Sequence, residues 1–289
     1  NVTTGGTNIL IGKDAGDGFN TESSLIAIGN GALGGTCQGA ANIIAIGNYA
    51  MAGTTSATYS IGIGEGAGQS TTTGGSNVFL GAHAGNANTT GGRNIAIGRS
   101  AYTASDTESD NIAIGHYAMT TNTAGGEKNI AIGGYAGEEL ESADGTVLLG
   151  YKAGKSVTTG NKNVLIGHEA GREVTTGTGN IIMGADQISV TTGSYNVILG
   201  YQTAGHISTG RGKIIIGNDG GSGTTNDNNR ELMISSYDGS GRTKWIHGTS
   251  AGAITFNEAY TFPTAVTGTN DYVLTAQTDG STAWASAGG

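Results

Sequence analysis

The side chains best suited to metal binding or proton transfer are five histidines, His83, His116, His168, His206 and His247. His116 and His168 each follow a glycine that closes a short aliphatic run, so they share one position in a repeat, three repeats apart. Set against symmetry copies of themselves they could hold a metal. No His-x-His pair supports this, and the histidines read as solvated or capping side chains. Glu138, Glu139 and Glu141 cluster, but glycoside hydrolysis needs two carboxylates opposed across a cleft, and a tandem run in a turn does not provide that. The stretch from Asn218 to Gly223 is rich in Gly, Asn and Asp like a calcium loop, yet offers few oxygens and reads as a flexible link. Adjacent Thr pairs beside Gly read as turns, because an ice-binding face needs Thr spaced two apart on a strand. Cys37 stands alone, so no intrachain disulfide is possible, and it reads as a small buried thiol. There is no nucleotide loop or nucleophile motif. No catalytic residue, cofactor or metal is expected.

The residues that repeat are aliphatic. A short apolar run ending in glycine recurs at Gly12, Gly29, Gly47, Gly64, Gly81, Gly98, Gly115, Gly133, Gly150, Gly167, Gly184, Gly200 and Gly217, at spacings of 16 to 18 residues. This period is shorter than any helical repeat unit. Counting from each marker glycine, position −1 is Ile, Leu or Met and position −3 is Ile or Val. Position −4 is Asn in eight copies, and position +3 is Ala in ten. Thr-Thr-Gly turns, as at Thr72-Thr73-Gly74 and Thr158-Thr159-Gly160, place their Gly seven residues before the marker. The arc from turn to strand therefore has fixed length, and insertions fall in the other arc. Ordering one residue costs about 1–2 kcal/mol of backbone entropy, so a coil this short cannot fold alone and must stack on its neighbours. The pattern predicts an all-β protein: a parallel β-roll or β-solenoid over 1–220 with about 13 coils of about 17 residues. A link follows at 221–229. The segment 230–289 holds a hairpin, with strands at Glu231–Ser235 and Thr243–His247 around Asp238-Gly239-Ser240-Gly241, and then further β structure.

Composition agrees with a built rod. Fifty-five of 289 residues are Gly and one is Pro, without the collagen period, and 12% are charged. Net charge is −9 with 13 Lys and Arg, which provides no footprint for nucleic acid or an anionic membrane surface. No apolar stretch is long enough for a membrane-spanning helix, so no membrane insertion is expected.

Position −2 is never polar. It is Leu10, Ala27, Ala45, Gly62, Phe79, Ala96, Ala113, Ala131, Leu148, Leu165, Ile182, Ile198 and Ile215. With −1 and −3 taken as the inward pair, alternation points −2 outward. A strand apolar on both faces is covered on both faces. The expected cover is another copy of the chain. Ala27, Ala45, Phe79, Ala96, Ala113, Ala131, Leu148, Leu165, Ile182, Ile198 and Ile215 are then interface residues. The shift from Ala and Gly to Leu and Ile after Ala131 predicts chains drawn apart in the second half. Tyr49, Tyr102, Tyr117 and Tyr135 follow marker glycines closely, and either pave an outer receptor-binding strip or cap the roll.

Asn94-Ile95-Ala96-Ile97-Gly98-Arg99-Ser100-Ala101, with Asn111 to Ala118 and Asn129 to Ala136, resembles the head repeat of YadA-type trimeric adhesins over about residues 1–220. That resemblance implies a left-handed roll of three intertwined chains, although the adhesin repeat is typically a few residues shorter. Phe262-Pro263-Thr264-Ala265, Tyr272 to Thr275 and Thr278 to Ala285 are similar to bacteriophage tail fibres and tailspikes. This second resemblance implies an interwoven trunk ahead of a self-cleaving intramolecular chaperone. The function implied is a virion tail fibre, extracellular, that attaches to a bacterial host. Its partners would be two further copies of itself, other virion tail proteins, and a bacterial surface glycan or protein receptor. An adhesin head and a glycan-degrading tailspike are the alternatives.

Overall fold

A computed structural model describes residues 5–36, 38–121, 125–186, 190–203, 208–218, 229–237, 242–248, 254–256, 260–262, 272–276 and 282–286. Cys37, His206, most of the link and the hairpin turn at 238–241 lie outside the described residues. Thirteen strands carry the repeat: β1 Ile9–Ile11, β2 Ser23–Ile28, β3 Ala41–Ile46, β4 Ile61–Ile63, β5 Val78–Leu80, β6 Ile95–Ile97, β7 Ile112–Ile114, β8 Ile130–Ile132, β9 Val147–Leu149, β10 Val164–Ile166, β11 Ile181–Met183, β12 Val197–Leu199 and β13 Ile214–Gly217. Each pairs in parallel with the next, one repeat apart, as Ile95 with Ile112 and Ile112 with Ile130. The described residues contain no helix. The architecture is a β-solenoid of about twelve full turns, and at about 4.8 Å per strand the ladder runs about 60 Å.

The marker glycine makes the coil possible. Gly98 has φ +128, and a Cβ there would lie 2.7 Å from the carbonyl oxygen of Gly115 in the next coil. A side chain at this corner would push the coils apart.

The −4 asparagines form an internal spine. Asn94 is buried; its Oδ1 accepts the Asn111 N–H at 3.0 Å, and its Nδ2 donates to the Glu108 carbonyl at 2.8 Å. Asn77, Asn111, Asn129, Asn163, Asn180 and Asn196 bond up the stack in the same way. Each side-chain amide thus replaces a ladder bond where the backbone leaves the strand. In β2 and β3 the position is Leu25 and Ile43, and there the strands run to six residues instead of three.

Two coils have 18 residues, closing at Gly47 and Gly133. In the coil before each, the turn glycine is replaced by a buried glutamate, Glu22 or Glu108. Glu22 accepts the N–H groups of Asn20, Thr21 and, from the longer coil, Gly39 at 3.1 Å. Glu108 does the same with Asp106, Thr107 and Gly125. A carboxylate satisfies the N–H that the extra residue displaces.

The spine ends at Lys213, which takes the −4 position and is fully buried. Its Nζ lies 2.9 Å from Glu231 Oε2, and His247 Nε2 lies 2.8 Å from Glu231 Oε1. This group sits where the parallel ladder gives way to β14 Leu232–Tyr237, parallel to β13, and then to an antiparallel meander. The meander continues through β15 Arg242–Gly248, β16 Ile254–Phe256 and β17 Tyr260–Phe262. The expected hairpin is β14 with β15. A separate hairpin pairs β18 Tyr272–Ala276 with β19 Thr282–Ser286.

Candidate interaction site: the outward strand face and its aromatic ridge

The strands face the opposite way from the sequence expectation. Ala27, Ala45, Phe79, Ala96, Ala113, Ala131, Leu148, Leu165, Ile182, Ile198 and Ile215 are all fully buried within their own chain. They fill the inside of the coil and are not on its outer surface. The reason lies in the turns. Ala at +3 and the residue at +4 also point inward, and opposite the strand they leave a narrow space that suits one central column.

That packing also accounts for the change in residue size along the column. From Ala27 to Leu165, each −2 side chain lies between the +4 residues of its own and the preceding coil. Around Phe79, Leu148 and Leu165 both flanking +4 residues are Gly: a Cβ on Gly154 would lie 2.5 Å from Leu148 and 2.9 Å from Leu165, and one on Gly137 would lie 2.7 Å from Leu148. Where −2 is small, a large +4 residue fills the space. Leu33, Met51, Tyr102 and Met119 accompany Ala27, Ala45, Ala96 and Ala113, and a Cβ on Gly62 would lie 2.6 Å from Met51. Because the −2 column lies inside the coil, its size change carries no information about chain separation.

The outward columns are −3 and −1. Across all thirteen strands they are Ile, Val, Leu or Met, from Ile9 and Ile11 to Ile214 and Ile216. None is fully buried; Ile11 is 58% exposed, Met183 42% and Ile132 39%. Among the described residues, an apolar face of this length departs from an ordinary soluble surface.

The four tyrosines separate. Tyr102 is fully buried, which removes it from any receptor surface; its hydroxyl accepts from Asn111 Nδ2 at 2.7 Å and reaches the Glu108 carbonyl at 3.3 Å. Tyr49 is half exposed. Tyr117 and Tyr135 are half-buried and belong to a ladder of rings that sequence reading did not assemble. Tyr117 stacks on Tyr135 at 5.7 Å, Tyr135 meets Tyr151 edge-on at 6.0 Å, and Tyr151 stacks on His168 at 5.5 Å. His116 packs edge-on against Tyr117 and Tyr135. The signal was available: these rings occupy positions +1 and +2 of four successive coils.

His116 and His168 therefore lie at opposite ends of a ring ladder. His168, Glu169 and Asp186 bring three possible ligand atoms within 4.8 Å, the grouping best able to hold a cation among the described residues. Its charges already have partners: Glu169 lies 2.9 Å from Arg172 and 3.7 Å from Lys152, and Asp186 is 3.0 Å from His168 Nδ1. Glu138, half-buried, and Glu139, exposed, share the half-buried Lys155 at 3.3 and 3.9 Å, as ion pairs of a turn do. Of the proposed calcium loop, only Asn218 is described. Comparison with protein families, curated proteins and solved structures returns no match.

Proposed function

We propose that this chain is a structural fibre segment that assembles as a homotrimer through its outward aliphatic face and serves in attachment of a virion to a bacterial surface. The observation that carries the reading is the unbroken pair of outward aliphatic columns over thirteen coils. A partner that covers such a face must present apolar side chains at the same axial repeat over the same length. A second copy of this chain does so, and closed cyclic association lets every copy bury its face at once. Three copies is the number that the adhesin-like and fibre-like phrases imply.

A long, straight, protease-resistant rod is what a tail fibre needs between the virion and its receptor. Its remaining partners on this reading are other tail proteins and a bacterial glycan or protein, met outside the cell. Receptor contacts fall on exposed turns, where Tyr49 is open, and not on the ring faces of Tyr117 and Tyr135, which cover one another. Bound cofactors play no part.

Sedimentation equilibrium tests the assembly. The expected mass is three times 28.7 kDa. Ile97→Lys with Ile114→Lys, both outward, should give monomer or aggregate, and a wild-type chain that sediments as a monomer overturns the proposal. Retention of the labelled trimer on intact bacterial cells, lost after their surface polysaccharide and protein are stripped, tests attachment.

A further inference from the structure

The outward face has a weakness that follows from its own regularity. Its two columns repeat nearly identical residues at every coil, with Ile or Val at −3 and Ile, Leu or Met at −1. Sister chains that slip by one coil still match twelve of thirteen strands. A slipped trimer is therefore almost as well packed as the aligned one, and register in repetitive strands is weakly specified unless something breaks the repeat. The interior −2 column cannot do this, because it is buried within each chain.

We infer that the aromatic ridge Tyr117, Tyr135, Tyr151 and His168 sets the axial register between copies of this chain. This rests on the homotrimer reading above. Three observations converge on the ridge. It begins one glycine beyond the −1 column, so it borders the apolar face along one side. It is aperiodic: the corresponding +1 and +2 positions of the two coils before it are Ala82, His83, Arg99 and Ser100, and the coil after it has Ala185 and Asp186. It is also braced, because each ring lies against a ring of the next coil, at 5.7, 6.0 and 5.5 Å. A braced group of large side chains beside a uniform face acts as a wedge. It matches a sister chain's ridge in full at one offset, and a slip of one coil sets an end of the ridge against Arg99 and Ser100 or Ala185 and Asp186. Tyr151, 43% exposed, offers much of the unpaired ring area for such a contact.

Disulfide trapping in the full-length chain, with Cys37→Ala to remove the native thiol, reads the register directly. Ile97→Cys reports alignment through homotypic dimers of the probe. Co-expressed Leu80→Cys and Ile97→Cys chains, on adjacent strands of the −1 column, report one-coil slippage through mixed products. With the ridge intact, homotypic products should dominate. In Tyr117→Ser/Tyr135→Ser/Tyr151→Ser the ratio of homotypic to mixed products should fall roughly tenfold, while sedimentation still gives a trimer. The corresponding triple Phe variant keeps the rings and should restore the ratio. If the Ser variant does not fold, Tyr151→Ser alone should lower the ratio by a smaller factor. An unchanged ratio in a trimeric, folded Ser variant overturns the inference. A monomeric parent chain instead overturns the trimer reading, so the two failures are distinguishable.

Discussion

Exchange of size between positions −2 and +4 is a sharp test of how the coil interior is packed. Met119, fully buried at φ 49, flanks Ala113 and Ala131, whereas Gly137 and Gly154 flank Leu148. Met119→Gly removes a buried side chain, a loss of about 2–5 kcal/mol, and returns about 1 kcal/mol by relieving a left-handed non-glycine residue. A net cost of about 3 kcal/mol is expected. Ala131→Leu forces a larger side chain against Met119, at about 1–3 kcal/mol. In the double variant the introduced leucine lies between two glycines, as Leu148 does in the wild type. The expected cost is then about 2 kcal/mol, well short of the sum, with a coupling of about 3 kcal/mol. Urea unfolding followed by circular dichroism, at one fixed protein concentration, measures all four corners of the cycle. Single-variant costs that add to within about 0.5 kcal/mol would refute the shared interior space.

Two further outcomes follow from the buried polar groups. Asn94→Leu leaves the Asn111 N–H without its acceptor and takes a donor from the Glu108 carbonyl; a loss of about 2–5 kcal/mol is expected in the same assay, with local hydrogen exchange at Asn111 accelerated. For pH, burial alone would raise the carboxyls of Glu22 and Glu231. Backbone N–H groups from Gly39, Asn20 and Thr21, and hydrogen bonds from Lys213 and His247, more than offset that and hold both below their ordinary value. A depressed folded-state pKa gives stability that is fully present above the unfolded value and is lost as pH falls through the folded one. The rod should therefore weaken below about pH 4.5. Glu22→Gln with Glu231→Gln should flatten that part of the pH profile while lowering stability at neutral pH, because the buried Lys213 loses its ion pair with Glu231.

The period, the strand positions and the hairpin from Leu232 to Gly248 were legible in the sequence because marker glycines and alternation leave little freedom. The direction of the strands was not. Alternation tells which residues share a face, but not which face is inside. With the aliphatic pair at −1 and −3 read as the core, −2 is thereby placed outside. The deciding information was in the turn, where in the first ten coils +3 is Ala and +4 is Gly, Leu, Met or Tyr. Once +4 is known to point inward, its inverse match with −2 identifies −2 as the interior column. The asparagine spine was visible as a repeated letter, but its role needed the distance from Asn94 to Glu108 in the neighbouring coil. The ring ladder was missed because Tyr151 and His168 sit at +1 while Tyr117 and Tyr135 sit at +2, so no single column showed it.

The inner and outer columns obey different rules, and the difference bears on assembly. Inside, −2 ranges from Gly62 to Phe79, and as far as Leu165 the changes are compensated within one coil of their site. A core can vary in this way because the same chain holds both sides of every contact. Outside, −3 and −1 stay within a narrow range of aliphatic size over all thirteen coils. A water-facing surface has no reason for such uniformity, and polar residues would serve it better. A surface that meets a neighbour at constant distance has a strong reason, since one oversized residue would pry the two rods apart along several coils. The outer columns therefore have the narrow size range of a contact between straight, parallel rods. A single Ile114→Phe on the outward face should disturb assembly more than Ala131→Leu, a change of similar kind inside the coil.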